Sequence, residues 1–425
     1  MLSSLDTSFD RRCALPALTP RTSPPGLRMR PAAWLVLLAG TLGGAAWAGP
    51  SDALHPYASL AYNYEDNLFR LADANPGYDN TRSDTSRQAQ AGLLFNQTYG
   101  RQVVSLQAKV SRVSFDHFTQ LNYNGKDMLA DLNWHLGARL EGNAGLSYMQ
   151  VLAPYTDITT RERNLRVQKR EYVNGAWGFH PSWRLRLGAT HNRYTYDLLS
   201  QAYNNRSDRG LEAGVDYLAS SGSSIGVQAN KYSYKYDQLR QLGSGLVDAG
   251  TDQDDVKLKV DWRSTGVSSV QFLGGWSRRT HAFFTERDSS GFNALLKAST
   301  VWDGKVNFDA SVWRQYGGVE SNLVSYSLNT GGAVNAVWTV TPKIQASAQL
   351  KRDRRAFKGL LAASAPVDLS DATNTATLGA TYVLLPSVRL NASVFREARS
   401  GLAAALFGNG NYHAKGASFN VNLQY

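Results

Sequence analysis

The chain has 425 residues, a formal net charge of +11 and a single cysteine, with a mean hydropathy of −0.35. One cysteine excludes a disulfide-stapled framework and a thiolate metal centre. The basic charge does not point to nucleic acid, because Lys and Arg are spread along the chain rather than gathered in one patch.

Residues 1–28 are rich in Pro, Ser and Thr and lack periodicity. Met29-Arg30, the apolar run Ala32–Ala46 and Ala46-Trp47-Ala48 before Gly49 then read as charged region, apolar region and small-residue cleavage site. The expectation is an extended N-terminus plus signal peptide over 1–48, with the start at Met29 and cleavage after Ala48. A membrane anchor is the weaker reading, since the run is short and rich in small residues. Cys13 lies in the discarded part, so residues 49–425 offer no thiol. They also hold no apolar run of transmembrane-helix length and no linker. Their average polarity is compatible with a membrane barrel, because alternating strands average out.

Met128–Tyr148 sets the pattern. Met128, Ala130, Leu132, Trp134 and Leu136 alternate with Leu129, Asp131, Asn133, His135 and Gly137, and after a polar turn at Arg139–Gly142 the alternation resumes with Ala144, Leu146 and Tyr148. A period of two puts one set on each face of a β-strand. The unit recurs. Short turns fall at Tyr99–Arg101, Arg139–Gly142, His180–Ser182, Ser220–Ser224, Ser264–Val267, Asp303-Gly304, Thr341–Lys343 and Leu385–Ser387, with Gly and Pro where tight turns need them. Longer polar connections separate the hairpins: 66–84, 117–126, 154–166, 197–207, 237–253, 281–289, 317–322, 352–370 and 400–412. Eight short turns and nine long loops predict eighteen strands in one up-and-down antiparallel transmembrane β-barrel, with periplasmic turns and extracellular loops. A β-propeller has a similar period but needs four strands in the length that two fill here.

Charge placement agrees. A cation facing lipid at mid-membrane costs about 2–4 kcal/mol, falling to ~0–1 near the interfaces. Arg112 and Lys231 share parity with apolar neighbours, yet both stand at the loop-side strand end. The last strand, Phe419–Tyr425, is apolar at every odd position and ends on an aromatic residue, and Tyr57–Glu65 is available to pair with it and close the barrel.

No catalytic or metal motif is legible. The seven histidines are scattered without H-x-x-x-H or H-E-x-x-H spacing, so the expectation is no enzyme, no cofactor and no metal. A Ser–His pair assembled across strands would leave no motif. His135 reads as a solvated pore histidine. By parity Lys109, Arg139, Arg186, Lys257, Lys259, Lys297, Lys351 and Arg389 point into the lumen, against Asp131, Glu141, Glu212, Asp216, Asp261 and Asp309. That is a polar lining with a basic excess, and these cations are the candidate path for a polymer or solute. Either the excess favours anionic passengers, or the charges simply pair across the lumen. Arg161, Arg163, Arg166, Arg278, Arg279, Arg352, Arg354 and Arg355 are read as rim cations that hold lipopolysaccharide phosphates. Tyr194, Tyr196, Tyr232, Tyr234 and Tyr236 are read as an interfacial aromatic girdle.

Tyr64-Glu65-Asp66-Asn67-Leu68-Phe69-Arg70-Leu71, the following Ser83-Asp84-Thr85 and the turn Tyr99–Gln102 are not demanded by barrel physics. With the barrel-length remainder they resemble the EpsL family, outer-membrane β-barrel proteins encoded in exopolysaccharide operons. The resemblance spans residues 49–425, with its distinctive motifs in the first fifty or so. It implies a role in exopolysaccharide secretion, with the polymer and periplasmic export proteins as partners beside outer-membrane lipids and lipopolysaccharide. It transfers no site residue. Asp66 and Arg70 are expected to clasp the first loop, which is long enough to act as a plug. The reading is therefore an outer-membrane barrel for passage or docking of a polymer. The alternatives are a general or solute-specific diffusion porin and a non-conducting barrel that anchors an export complex.

Overall fold

Strict alternation over ten to sixteen residues leaves each segment one stable use, a strand with one wet and one apolar face. In the computed structural model the described residues are 53–155, 160–242, 245–283, 288–318, 324–360, 369–401 and 410–424. The leader expected over 1–48 lies outside them, as do parts of six loops. The strands in chain order are β1 Leu54–Glu65, β2 Asp84–Tyr99, β3 Gln102–Phe115, β4 Tyr123–Leu136, β5 Leu140–Leu152, β6 Leu165–His180, β7 Trp183–Tyr196, β8 Arg206–Leu218 and β9 Ser224–Tyr236. After a small loop hairpin, β10 Arg240–Leu242 and β11 Gly245–Val247, come β12 Thr251–Arg263, β13 Ser268–His281, β14 Ser289–Trp302, β15 Val306–Gly318, β16 Val324–Thr341, β17 Ile344–Leu360, β18 Ser370–Leu385, β19 Val388–Gly401 and β20 Tyr412–Gln424. Apart from β10 and β11, they form one 18-stranded sheet.

Every strand pairs antiparallel with the next, and β1 pairs with β20 from Tyr57↔Gln424 to Glu65↔Gly416, so the sheet closes and has no edge. Closure is what a strand assembly needs in hydrocarbon, where no water satisfies an open edge. The short turns stand where the sequence placed them, with one shift: β4 ends at Leu136 and the turn is Gly137–Arg139. Asp303 and Gly304 both have positive φ, 51° and 63°, the pair of left-handed residues that a two-residue hairpin turn requires. Inside the wall, a Cβ at Gly92 would come 2.6 Å from Cε1 of Tyr57, whose ring lies over it.

Residues directly opposite in a ladder share a face, which fixes inside and outside. Outward stand Leu60, Leu106, Leu211, Val256, Leu350 and Phe419, all exposed. Such an apolar band on a water-soluble surface would be an aggregation site; on a closed barrel it is the lipid-facing belt. On the turn side it ends in outward Trp177, Trp183, Tyr217, Trp262, Trp302 and Trp338. On the loop side it ends in charged residues, among them Lys126, Lys169, Arg193, Arg209, Arg278 and Arg396 beside Arg112 and Lys231. The protein is an outer-membrane β-barrel of a Gram-negative bacterium.

Two loop expectations are corrected. Arg352, Arg354 and Arg355 belong to β17, not to a loop, because that strand runs nine residues into the predicted connection, to Leu360. The 237–253 connection contains the β10–β11 hairpin.

Candidate functional site

The first loop, between β1 and β2, bends back over the mouth. Asn67 is buried and closes a tight turn: its Nδ2 donates to the Leu71 carbonyl at 2.8 Å and to the His413 carbonyl at 3.0 Å, while its Oδ1 accepts the Leu71 amide at 2.9 Å. Arg70 takes a left-handed backbone, φ 56°, which turns its side chain into the barrel. There its Nη1 donates to Glu65 Oε2 at 2.6 Å and its Nε to Glu397 Oε1 at 2.9 Å, and its guanidinium lies 5.8 Å from the ring centre of inward-facing Phe395. Burial works against the charge, but Glu65 and Glu397 outweigh it and hold the Arg70 pKa above its ordinary value. Phe69 completes the anchor, its ring 4.7 to 4.9 Å from those of Phe118, Tyr155 and Tyr78. The same cluster takes in Leu71, Leu121 and the inward Val113 and Phe115 of β3. The loop thus lies against the inner wall.

Two carboxylates fasten its ends. Asp84 Oδ1 accepts the amides of Thr85 at 2.7 Å and His117 at 3.0 Å, and its Oδ2 that of Phe118 at 2.8 Å, which ties the first loop's end to the second loop. Asp73 accepts the His413 amide at 2.9 Å and meets its ring Nδ1 at 2.7 Å. Burial works to raise the Asp73 pKa, yet the His413 contacts and Arg82 together outweigh it and bring it below the usual carboxylate value. Asp66 does not meet Arg70; it accepts the Lys415 amide at 2.7 Å. The expected clasp therefore has different partners, Glu65 and Glu397.

Below the mouth the lining divides into two walls. Over β6–β13 it is ionic and paired. Arg186 bonds Asp216 at 2.7 Å and also Glu212, and Arg184 bonds Asp216 at 3.0 Å. Lys257 meets Asp255 at 2.6 Å and Lys259 meets Asp261 at 3.5 Å. Arg206 meets Asp208 at 3.2 Å and lies 4.5 Å from the ring centre of Tyr194. Over β18–β20 and β1 the middle of the wall is hydroxyl and amide: Thr381 donates to Asn391 at 2.8 Å, Ser393 bonds Ser418 at 2.9 Å, and Ser59 and Asn63 continue it.

The candidate path residues separate accordingly. Lys109 faces inward and pairs with Asp127 at 3.0 Å. Arg186, Lys257 and Lys259 sit in the ionic wall. Lys297 faces inward opposite Gln271, Lys351 lies 5.7 Å from the Trp313 ring centre, and Arg389 is opposite Asn422 near the turn side. Arg139 is a correction: it stands exposed in the Gly137–Arg139 turn, because parity counting runs on through a turn that breaks it. The predicted basic excess is corrected too. Strand-end residues that the parity reading left out supply inward carboxylates, among them Glu65, Asp127, Asp208, Asp255, Asp371 and Glu397, and these match the cations. Asp371 alone holds Arg355 at 2.8 Å and the Arg399 Nε at 2.9 Å. Tyr194, Tyr196, Tyr232 and Tyr234 are not a lipid-facing girdle: they share parity with Arg186, Asp208 and Gln228 and face the lumen. Arg184 and Asp127, absent from the candidate set, were legible as partners of the same parity. No group of metal-ligand type occurs among the described residues.

No protein-family model matches the chain, and no curated protein does. Among solved structures, Pseudomonas aeruginosa OccK2 (OpdF) is 11% identical with a TM-score of 0.49, over 88% of this chain and 98% of that one. Pseudomonas aeruginosa OccK1 (OpdK) is 13% identical with a TM-score of 0.47, over 88% and 99%. The ferric citrate transporter FecA is 10% identical with a TM-score of 0.46, over 88% and 78%.

Proposed function

We propose that this outer-membrane barrel is a passive channel for hydrated solutes, a diffusion porin, delivered by a leader over residues 1–48 that is removed on export. The observation that carries the reading is the lining: paired ions on one wall, hydroxyls and amides on the other. Paired ions hold water without attracting one sign of charge, and the neutral wall exchanges hydrogen bonds with a passing solute. Lys109, Arg186, Lys257, Lys259, Lys297, Lys351 and Arg389 line the path, and neutral polyhydroxylated solutes fit it better than anions. The first loop sets the aperture.

A second reading, export or docking of an exopolysaccharide together with periplasmic export proteins, is favoured by one observation. The segment that resembles EpsL-type proteins, Asp66–Leu71, is the one that forms the mouth clasp, and tyrosines on β7 and β9 face the lumen where sugar rings stack. Single-channel conductance of the purified mature barrel in planar bilayers separates the readings. Open channels blocked by small neutral oligosaccharides, and indifferent to polymer, support the porin. Block by a long polysaccharide supports export. A closed barrel that stays closed when residues 71–82 are deleted overturns both and leaves an anchoring role.

A further inference from the structure

On the lipid-facing surface, three residues far apart in sequence meet at the loop-side end of β6, β7 and β8. His191 Nε2 is 2.8 Å from Ser207 Oγ, and His191 Nδ1 is 3.5 Å from Glu171 Oε2. Glu171 is directly opposite His191 in the β6–β7 ladder, and Ser207 sits one diagonal step away on β8. All three share the outward parity of Val173, Ala189 and Leu211. Nucleophile to base to carboxylate is the order that activates a serine hydroxyl, and the looser base–carboxylate contact is within what unliganded sites show.

The surroundings say what such a serine would meet. One row towards the turns, about 7 Å along the strands, stand Val173, Ala189 and Leu211, exposed or half-exposed and apolar. One row towards the loops, Lys169 is directly opposite Arg193, and Arg193 is directly opposite Ser207. Two cations directly opposite in a ladder destabilise it, and the structure only partly offsets them: Arg193 meets Asp237 at 2.8 Å, and Lys169 lies 5.9 Å from the Tyr148 ring centre. Arg209 stands opposite His191, two residues along from Ser207 on the same face. An activated hydroxyl in a row of cations, with His191, Glu171 and Arg209 in the next row and apolar surface beyond them, matches a lipid that carries phosphate in its head, acyl chains in the membrane and ester bonds at the boundary.

We propose that Glu171, His191 and Ser207 form a hydrolytic site on the outside of the barrel that cleaves acyl esters of a phosphate-bearing lipid in the surrounding leaflet. Ser207 Oγ attacks the ester carbonyl carbon while its proton passes to His191 Nε2. Arg193 and Arg209 flank the oxygen that becomes negative. The carbon–oxygen bond to the alcohol breaks, and His191 returns the proton to the departing alkoxide. Water then attacks the acyl-serine, giving one proton to His191, and the acid leaves as Ser207 recovers its hydrogen. The sum is ester plus water to acid plus alcohol. Glu171 is a positioning residue that holds the His191 ring and offsets its charge. This activity is separate from the lumen and goes beyond the channel reading.

The test uses the full mature barrel in mixed micelles with phosphatidylglycerol, with bis-phosphorylated lipid A, or with dioleoylglycerol. Released fatty acid is measured by mass spectrometry, and labelling of the Ser207 peptide by a fluorophosphonate is followed in parallel. The expected result is release from one or both phosphate lipids at least tenfold faster than from dioleoylglycerol, with the label on Ser207. S207A and H191N abolish both while keeping wild-type conductance, which shows that the barrel is folded. E171Q lowers kcat at unchanged KM, and E171D restores part of it, which a merely structural carboxylate would not do. No release with no label, or release that survives S207A, overturns the site; equal release from dioleoylglycerol overturns the phosphate preference. Release from phosphatidylglycerol alone assigns a glycerophospholipid substrate, and release from lipid A alone assigns the glycolipid.

Discussion

Arg70 of the first loop donates to Glu397 of β19 at 2.9 Å across 327 positions of sequence, and its other arm holds Glu65 at 2.6 Å. One guanidinium thereby binds the loop to both sides of the seam where the chain's ends meet. Replacing it with alanine leaves Glu65 and Glu397 facing each other in the mouth without a cation between them. Because Glu65 is 29% exposed, the expected loss is about 2 kcal/mol, below the ~3–5 kcal/mol of a fully buried pair. R70A should lower the denaturation midpoint and raise single-channel conductance, and deletion of 71–82 should raise conductance further. Unchanged conductance in both would show that the loop does not set the aperture.

The Asp73–His413 contact gives that aperture a pH dependence. The folded Asp73 pKa lies below its unfolded value, so the contact's contribution is fully present above the ordinary carboxylate pKa. It is lost as pH falls through the lower folded value. Acidifying the loop side of a bilayer from neutral into that range should increase open-channel noise or conductance. D73N should show the acid behaviour already at neutral pH and lose the step. A step that survives in D73N would place its origin elsewhere.

The paired lining predicts weak charge selectivity. Asp216, 1% exposed, is the shared partner of Arg184 and Arg186. D216N keeps an acceptor and removes the charge, leaving a cationic patch on one wall. The reversal potential in a salt gradient, near zero for the wild type, should shift towards anions, with a permeability ratio changed by roughly twofold or more. A strongly anion-selective wild type would contradict the pairing.

The barrel was legible because hydrophobic alternation is local: each strand announces itself, and seven of the eight short turns were placed from Gly, Pro and polar clusters alone. The faces were legible only while parity ran unbroken. It failed at Arg139, where a three-residue turn intervenes, and at strand ends rich in charge, such as Arg352–Arg355, where polar residues on both faces read as loop. Asp255, Asp371 and Glu397 stand just inside the strand side of the expected loop bounds, beyond the apolar alternation that sets parity, and with them went the balance of the lumen. Tyr194 and Tyr232 were given to the lipid face because aromatic residues are expected at interfaces; the ladder register sends them inward beside Asp208 and Gln228. Ser207, His191 and Glu171 lie 16 and 20 positions apart in successive pairs on three strands, a spacing set by hairpin length and carrying no motif.

The Asp303-Gly304 turn offers a test of how far local turn chemistry fixes the register of this wall. Both residues have positive φ, and the β14–β15 ladder that they seed runs from Trp302↔Val306 to Ala294↔Arg314. A β-branched residue in the left-handed region costs about 1–2 kcal/mol. G304V should therefore lower the urea midpoint of the refolded barrel by that much, whereas D303G, which removes a strained side chain, should leave it level or raise it slightly. The ladder has nine paired positions to hold it against slippage, and a one-residue slip would turn Phe308 and Val312 inward and Asp309 towards lipid. Conductance of G304V should then match the wild type even as its midpoint falls. A fall in both would mean that the turn, and not the alternation of the strands, holds the register.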